Sequence, residues 1–172
     1  ADLLSAVLVV TTAVIHTAVM IYACKDLHTR QVRAGFHSFM QMLTAAVCGA
    51  FLTGDLFNLY VWFEVMLMAS FGILVMGHPS GRLTSAVKYV TLNLVSTLML
   101  LTGIGLIYGL TGTLNLADLH EKVLAVENTA ALTSTAMLLM TAFGIKAALF
   151  PLFFWLPAAY PTLPPGVAAF FG

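Results

Sequence analysis

The sequence predicts an all-α membrane protein: a polytopic bundle of about five transmembrane helices with a proline-broken helix near the C-terminal end. Three observations predict this class. Hydrophobic residues make up 60% of the chain and charged residues only 8%, whereas ordinary soluble domains carry near 25% charged residues. The apolar runs are continuous and do not alternate, which favours helices over a β-barrel. Five of the prolines crowd into residues 151–165, where they must interrupt whatever helix precedes them. Formal net charge is zero, and the absence of a basic block excludes nucleic acid as a partner.

Five segments suit a hydrocarbon core of about 30 Å, which needs roughly 20 helical residues. They run over Leu3–Ala23, Phe36–Thr53, Leu56–Met76, Ser85–Tyr108 and Ala130–Phe150. The second is the shortest, and Thr53-Gly54-Asp55 turns the chain directly into the third. Glycine suits that tight turn, and Asp55 suits the N-cap of the helix that follows. The connection from Gly109 to Thr129 holds a short amphipathic piece, "LNLADLHEKVLAVEN". Asn115 can cap its start, and Leu116, Leu119 and Val123 repeat with helical spacing, so it is expected to rest on the bundle as a surface helix. The fifth span is expected to kink or stop near Pro151, leaving carbonyls such as that of Ala147 without helical partners.

Orientation follows from the basic residues. Lys25, Arg30 and Arg33 follow the first span, and Arg82 with Lys88 flanks the turn after the third. The connection between spans two and three has no Lys or Arg, and that between four and five has only Lys122. The first and third connections are therefore expected to be cytoplasmic, with Ala1 outside. The chain begins without a basic leader and stops inside a helix-like run, which reads as part of a longer protein.

Two residues in these spans demand an explanation. Glu64 lies near the centre of "TGDLFNLYVWFEVMLMASFGILVMG", where a carboxylate costs at least about 2.5 kcal/mol on insertion scales. Lys146 sits about one turn before the expected break. Broken helices at membrane depth are tolerated where they line a wet cavity, and transporters commonly bind ions there. Snorkelling for Lys146 and a structural ion pair for Glu64 are the bland alternatives. The membrane cost of both charges weighs toward proton handling.

Lys88, about one turn inside the fourth span, is evenly balanced between snorkelling and support of a hydrated path along Ser85, Ser96 and Gly103. His16 reads as a hydrogen-bonded packing residue rather than a relay. Cys24 and Cys48 read as packing residues, and neither a disulfide framework nor a metal site follows from them. No phosphate loop, nucleophilic catalytic set or haem ligand pair is apparent, so neither an enzyme nor a cofactor is expected.

Three stretches carry a family resemblance: "GAFLTGDLFNLYVWFEVMLMASFGILV", "KYVTLNLVSTLMLLTGIGLIYGLTGTLNLADL" and "FGIKAALFPLFFWLPAAYPTLPP". In this order they resemble the antiporter-like subunits shared by Mrp sodium/proton antiporters, respiratory complex I and membrane-bound hydrogenases, above all the D-type Mrp subunits. The resemblance covers nearly the whole chain. It implies a fourteen-helix subunit with two pseudo-symmetric five-helix bundles, each holding a broken helix. This chain would match the third to seventh helices and the start of the eighth, as one partial transmembrane domain.

Carried over residue by residue, the resemblance places Glu64 on the family's fifth-helix glutamate, Lys146 on its seventh-helix lysine and Lys88 on a supporting sixth-helix lysine. Ala158 departs from the aspartate that many relatives carry after "WLP". The implied activity is proton translocation within a multisubunit sodium/proton antiporter of a prokaryotic plasma membrane. The implied partners are other subunits of the complex, protons, sodium ions and the lipid bilayer. Moving Glu64 toward or away from Lys146 would make the lysine take up or release a proton. A hundredfold change in proton affinity is worth about 2.7 kcal/mol, close to the roughly 2.3 kcal/mol per charge supplied by 100 mV. A proton-pumping subunit of a redox complex and a purely structural docking bundle are the competing classes.

Overall fold

The structure, a computed structural model, describes residues 2–27, 32, 34–76, 80–163 and 165–171. Arg30 and Arg33, used above for orientation, lie outside the described residues, as do His28, His78 and Pro164. Among the described residues, five long apolar helices form the bundle: α1 (Leu3–Asp26), α2 (Phe36–Leu52), α3 (Leu56–Val75), α4 (Ser80–Thr111) and, after the short helix α5 (Leu116–Lys122), α6 (Thr129–Lys146). Two more short helices, α7 (Leu156–Ala159) and α8 (Pro165–Phe171), follow the break. Four of the long helices are long and apolar enough to cross a membrane, and α2, with 17 residues, is shorter. At 1.5 Å per residue α2 covers only about 26 Å, the low end for a span.

The helix starts are set by local chemistry. Asp2 accepts from Ser5 N–H at 2.8 Å, Asp55 from Asn58 N–H at 2.9 Å, and Asn128 from Ala131 N–H at 3.0 Å. Each side chain satisfies an amide that the first helical turn leaves without a partner. Gly112, at φ 70°, ends α4 in the left-handed region that glycine adopts without a Cβ clash. That helix is longer than expected at both ends.

Neighbouring helices pack in the order α1 on α2, α2 on α3, α3 on α4 and α4 on α6, while α8 returns to lie against α1. At several of these contacts glycine permits close approach. Gly49 of α2 faces the Trp62 ring of α3, and Gly103 of α4 faces Leu139 of α6, so that a Cβ at either position would collide. The turn between α2 and α3 lies beside the connection between α4 and α5. Leu56 N–H donates to Leu114 O, and Leu116 N–H donates to Gly54 O, both at 2.9 Å. The two connections therefore sit at one end of the bundle. Asn115 caps α5, and Leu119 and Val123 pack on the bundle as their spacing predicts, whereas Leu116 is exposed.

Two apolar clusters of described residues fill the interior. One joins Phe36, Met40, Leu67, Leu74 and Trp155, and the other joins Leu56, Leu100, Ile104, Ile107 and Ala142.

Where the sequence predicts a fifth span reaching Phe150, α6 ends at Lys146. Ala148 takes φ 51°, Ala148 N–H donates to Ile145 O at 3.2 Å, and Leu149 N–H donates to Gly144 O at 2.9 Å. This is a Schellman termination, which closes the helix on its own carbonyls before the proline is reached. Lys146 is therefore the last helical residue, not a residue one turn inside. The segment after it folds into turns and short helices rather than extended chain.

Candidate functional site

The site is built where α3, α4 and α6 meet, at the junction of the two apolar clusters. Glu64 stands near the middle of α3, between Leu56 of one cluster and Leu67 of the other. Its Oε1 accepts a hydrogen bond from Thr97 Oγ1 of α4 at 2.7 Å. Lys146 Nζ, at the end of α6, donates to the same Thr97 oxygen at 3.3 Å. Carboxylate and ammonium are thus joined through one hydroxyl. Both charged residues are half-buried, and Thr97 is buried. Lys146 Nζ also lies 5.2 Å from the centre of the Phe63 ring, within the range of a cation–π contact.

Consecutive residues of α4 hold the end of α6. Ser96 Oγ donates to Ala142 O at 2.7 Å, one turn before Lys146, while Thr97 receives Lys146 itself. From beyond the break, Trp155 Nε1 donates to Ile145 O at 2.6 Å, and its ring meets Tyr89 edge-on at 5.5 Å. The carbonyl recruited at the break is therefore that of Ile145, not the Ala147 carbonyl singled out in the sequence.

Beside Lys146 opens a cavity of about 170 Å3. Ser70, Tyr89, Asn93 and Lys146 contribute its polar wall, and Phe63 and Phe170 are among its apolar lining. Ser70 Oγ lies 2.7 Å from Tyr89 Oη and donates to Leu67 O at 2.9 Å, so the phenol is the donor of that pair. Asn93 Nδ2 donates to Tyr89 O at 2.9 Å. These bonds fix the wall on two helices.

Of the residues the sequence singles out, Glu64 and Lys146 come together and Lys88 does not join them. Lys88 is exposed on α4, and nine residues of helix place it about half a turn away from the side bearing Thr97. The face expected to line a hydrated path is instead a helix contact: Ser96 is bonded to α6 and Gly103 is buried against Leu139. Small polar residues on one helix face serve close packing as readily as water. Asp55 is the N-cap it is expected to be.

Thr97 is the residue that sequence reasoning missed. The available signal was the pair Asn93 and Thr97, polar residues four apart on one face of an apolar span. His16 makes one of its two bonds, with Nδ1 2.7 Å from Thr44 Oγ1 and its ring edge-on to Phe170 at 5.7 Å. Its Nε2 is buried without a hydrogen-bond partner among the described residues.

Residues 53–172 match the family described as NADH:quinone oxidoreductase/Mrp antiporter, transmembrane. A D-type subunit of a Na+/H+ antiporter from Bacillus subtilis is 42% identical over the whole of this chain and 35% of its own length. A protein of Rhizobium meliloti described as a probable D-type subunit of a K+/H+ antiporter is 43% identical over 99% of this chain and 32% of its own. The chain thus spans about a third of the length of these relatives. Among solved structures, the Mrp complex of a Dietzia species superposes with a TM-score of 0.84 at 35% identity, over 99% of this chain and 32% of the other. A chain of the membrane-bound sulfane sulfur reductase, an archaeal respiratory membrane complex, superposes with a TM-score of 0.91 at 26% identity, over 97% of this chain and 34% of the other.

Proposed function

The chain belongs to the NADH:quinone oxidoreductase/Mrp antiporter transmembrane family, and on that premise we propose that it is the proton-translocating part of a D-type subunit in a multisubunit sodium/proton antiporter. The named relatives are antiporter subunits, so the chain works as a transporter component and not as an enzyme. The observation that carries the reading is the Glu64–Thr97–Lys146 chain of hydrogen bonds across three helices. Two apolar clusters flank it, so the two half-buried charges interact in surroundings where solvent screens them less than at the surface.

Lys146 holds the transported proton, and Glu64 sets how firmly. While the carboxylate stays hydrogen-bonded next to the ammonium, the charged lysine is stabilised; a displacement of α3 against α6 weakens that support and releases the proton. At the break, Schellman closure and the Trp155 bond hold the end of α6, so that Lys146 stays in place while α3 moves against it. The adjoining cavity of about 170 Å3 has room for several waters at about 30 Å3 each in the liquid, and its wall offers the polar partners that waters need. Water there receives the released proton. Lys88, exposed on α4 and away from this cluster, has the supporting role that the family resemblance implies.

The complete protein sits in a prokaryotic plasma membrane with other subunits, and the N-terminal end of this segment faces outward. Sodium is the counter-ion that the Bacillus relative's name suggests, whereas the Rhizobium relative's name carries potassium. A second reading, a proton-pumping subunit of a redox complex, is favoured by the likeness to the archaeal respiratory complex.

The test uses everted vesicles containing the full-length complex, without respiratory substrate. Added sodium is expected to drive proton exit in the wild type, and Glu64→Gln and Lys146→Ala are expected to abolish it while the complex still assembles. Equal transport by wild type and both variants would refute the role of the pair. Silence toward sodium and potassium in the wild type, with acidification on adding a reductant, would establish the redox reading instead.

A further inference from the structure

We propose that Thr97 is a proton relay: its hydroxyl, hydrogen-bonded at once to the Glu64 carboxylate and the Lys146 ammonium, carries the proton between them. The proposal rests on the reading of Glu64 and Lys146 as the translocating pair and adds the atom through which they exchange.

A threonine hydroxyl has one proton and two acceptor lone pairs. At 2.7 Å from Glu64 Oε1 that proton is directed to the carboxylate, which has none to give when ionised. The oxygen's lone pair then faces Lys146 Nζ at 3.3 Å, and the ammonium has only donors. The arrangement is thus polarised in one direction, from ammonium to hydroxyl to carboxylate. Transfer balances as one concerted shift. An N–H bond of Lys146 breaks as a new O–H bond forms on Thr97, and the original Thr97 O–H bond breaks as an O–H bond forms on Glu64. The products are a neutral amine, an unchanged hydroxyl now directed at the amine, and a protonated carboxyl. Net movement in this direction is one proton from Lys146 to Glu64; the reverse shift, from a protonated Glu64 through the Thr97 hydroxyl to a neutral Lys146, loads the lysine before its proton passes to the cavity water, and rotation about the threonine C–O bond resets the relay.

The surroundings make this hydroxyl hard to replace by water. Thr97 is buried, 3% exposed, on the side of its helix that carries Leu100 and Ile104 of the second apolar cluster. Its neighbour Ser96, also buried, is already committed to Ala142 O at 2.7 Å. Among the described residues, Thr97 is the hydroxyl bonded to both members of the pair.

The test compares Thr97→Val, which keeps shape and loses the hydroxyl, with Thr97→Ser, which keeps the hydroxyl, in the full-length subunit assembled in its complex. Cation-driven proton exit from everted vesicles is read beside Glu64→Gln, with copurification of the partner subunits as the control for assembly. The expected result is a loss of about tenfold or more for valine, the scale of one hydrogen bond to a charged group, with serine within about threefold of wild type. Valine transporting like wild type while Glu64→Gln is inactive would overturn the relay and leave the pair standing. Valine and serine both assembled and both inactive would also overturn it, because restoring the hydroxyl would then restore nothing. Should the valine variant fail to assemble, Thr97→Cys, of similar size with a weak thiol donor, is read against serine in the same way. Activity retained by Glu64→Gln would instead remove the reading on which the relay depends.

Discussion

Replacing Ala148 by glycine and, separately, by valine probes the break that ends α6 beside Lys146. Ala148 is held at φ 51° by the Schellman bonds from Ala148 N–H and Leu149 N–H. A residue with a Cβ loses about 1–2 kcal/mol in that left-handed region, which glycine escapes. Against this gain, glycine loosens the unfolded chain at a cost of about 0.4–1 kcal/mol, and it gives up one half-buried methyl worth less than about 0.8 kcal/mol. The net effect of Ala148→Gly therefore lies between about 0.8 kcal/mol of destabilisation and about 1.6 kcal/mol of stabilisation, centred slightly on the stabilising side. Valine keeps the Cβ penalty and adds a branched side chain in a region where such residues are outliers, at about 1–3 kcal/mol. At the middle of these ranges the two variants differ by about 2 kcal/mol, roughly thirtyfold in the folded population. The assay is the fraction of full-length subunit that stays monodisperse in detergent after graded heating, with cation-driven proton movement measured alongside. Glycine is expected to match or exceed wild type in both, and valine to fall below it in both. Valine melting together with glycine would refute the reasoning, because no left-handed residue would then be needed at the end of α6.

Four further outcomes follow from individual contacts. Ser96→Ala removes the 2.7 Å bond to Ala142 O and is expected to lower stability by about 1 kcal/mol, read in the same heating assay, with transport slowed because the end of α6 is less firmly placed. Gly49→Ala drives a Cβ into the Trp62 ring, an overpacking expected to cost about 1–3 kcal/mol and to reduce the folded yield of the protein. Asn115→Ala removes the acceptor for Ala117 and Asp118 N–H, which is expected to cost about 1 kcal/mol and to speed amide hydrogen exchange at those two positions. Thr44→Val leaves His16 Nδ1 without its partner at 2.7 Å and is expected to cost about 1–3 kcal/mol, measured by heating, with His16→Leu in the Thr44→Val background recovering part of the loss.

The number and order of the long helices were legible because each apolar run is a local property. An apolar run of sufficient length must be helical in a bilayer, where the backbone has nowhere else to bond. The capping role of Asp55 and of Asn115 was legible for the same reason, since each bonds amides within three residues. Glu64 and Lys146 stood out by cost, as charges placed where solvent is absent. The helix end was not legible to the residue. Prolines at 151–165 announce an interruption, but the Schellman closure at Ala148 depends on a backbone conformation that alanine does not advertise.

What the sequence by itself determined is therefore the class, the helices and the two charges that need a purpose, all consequences of hydropathy and near-neighbour bonding. What only the tertiary structure decided is which atoms meet. Glu64 is 33 residues from Thr97, and Lys146 is 49 from it, and no periodicity along the chain encodes a contact over such separations. The same limit misplaced the polar face of α4: helical spacing grouped Lys88 with Ser96 and Gly103, yet α6 covers Ser96 and Gly103 and leaves Lys88 exposed. A helix's own sequence states which residues share a face. Which neighbour covers that face is settled by packing, because it depends on the shapes of two surfaces brought together, here by glycines at 49 and 103 and by the bonds that Ser96 and Thr97 make across the interface.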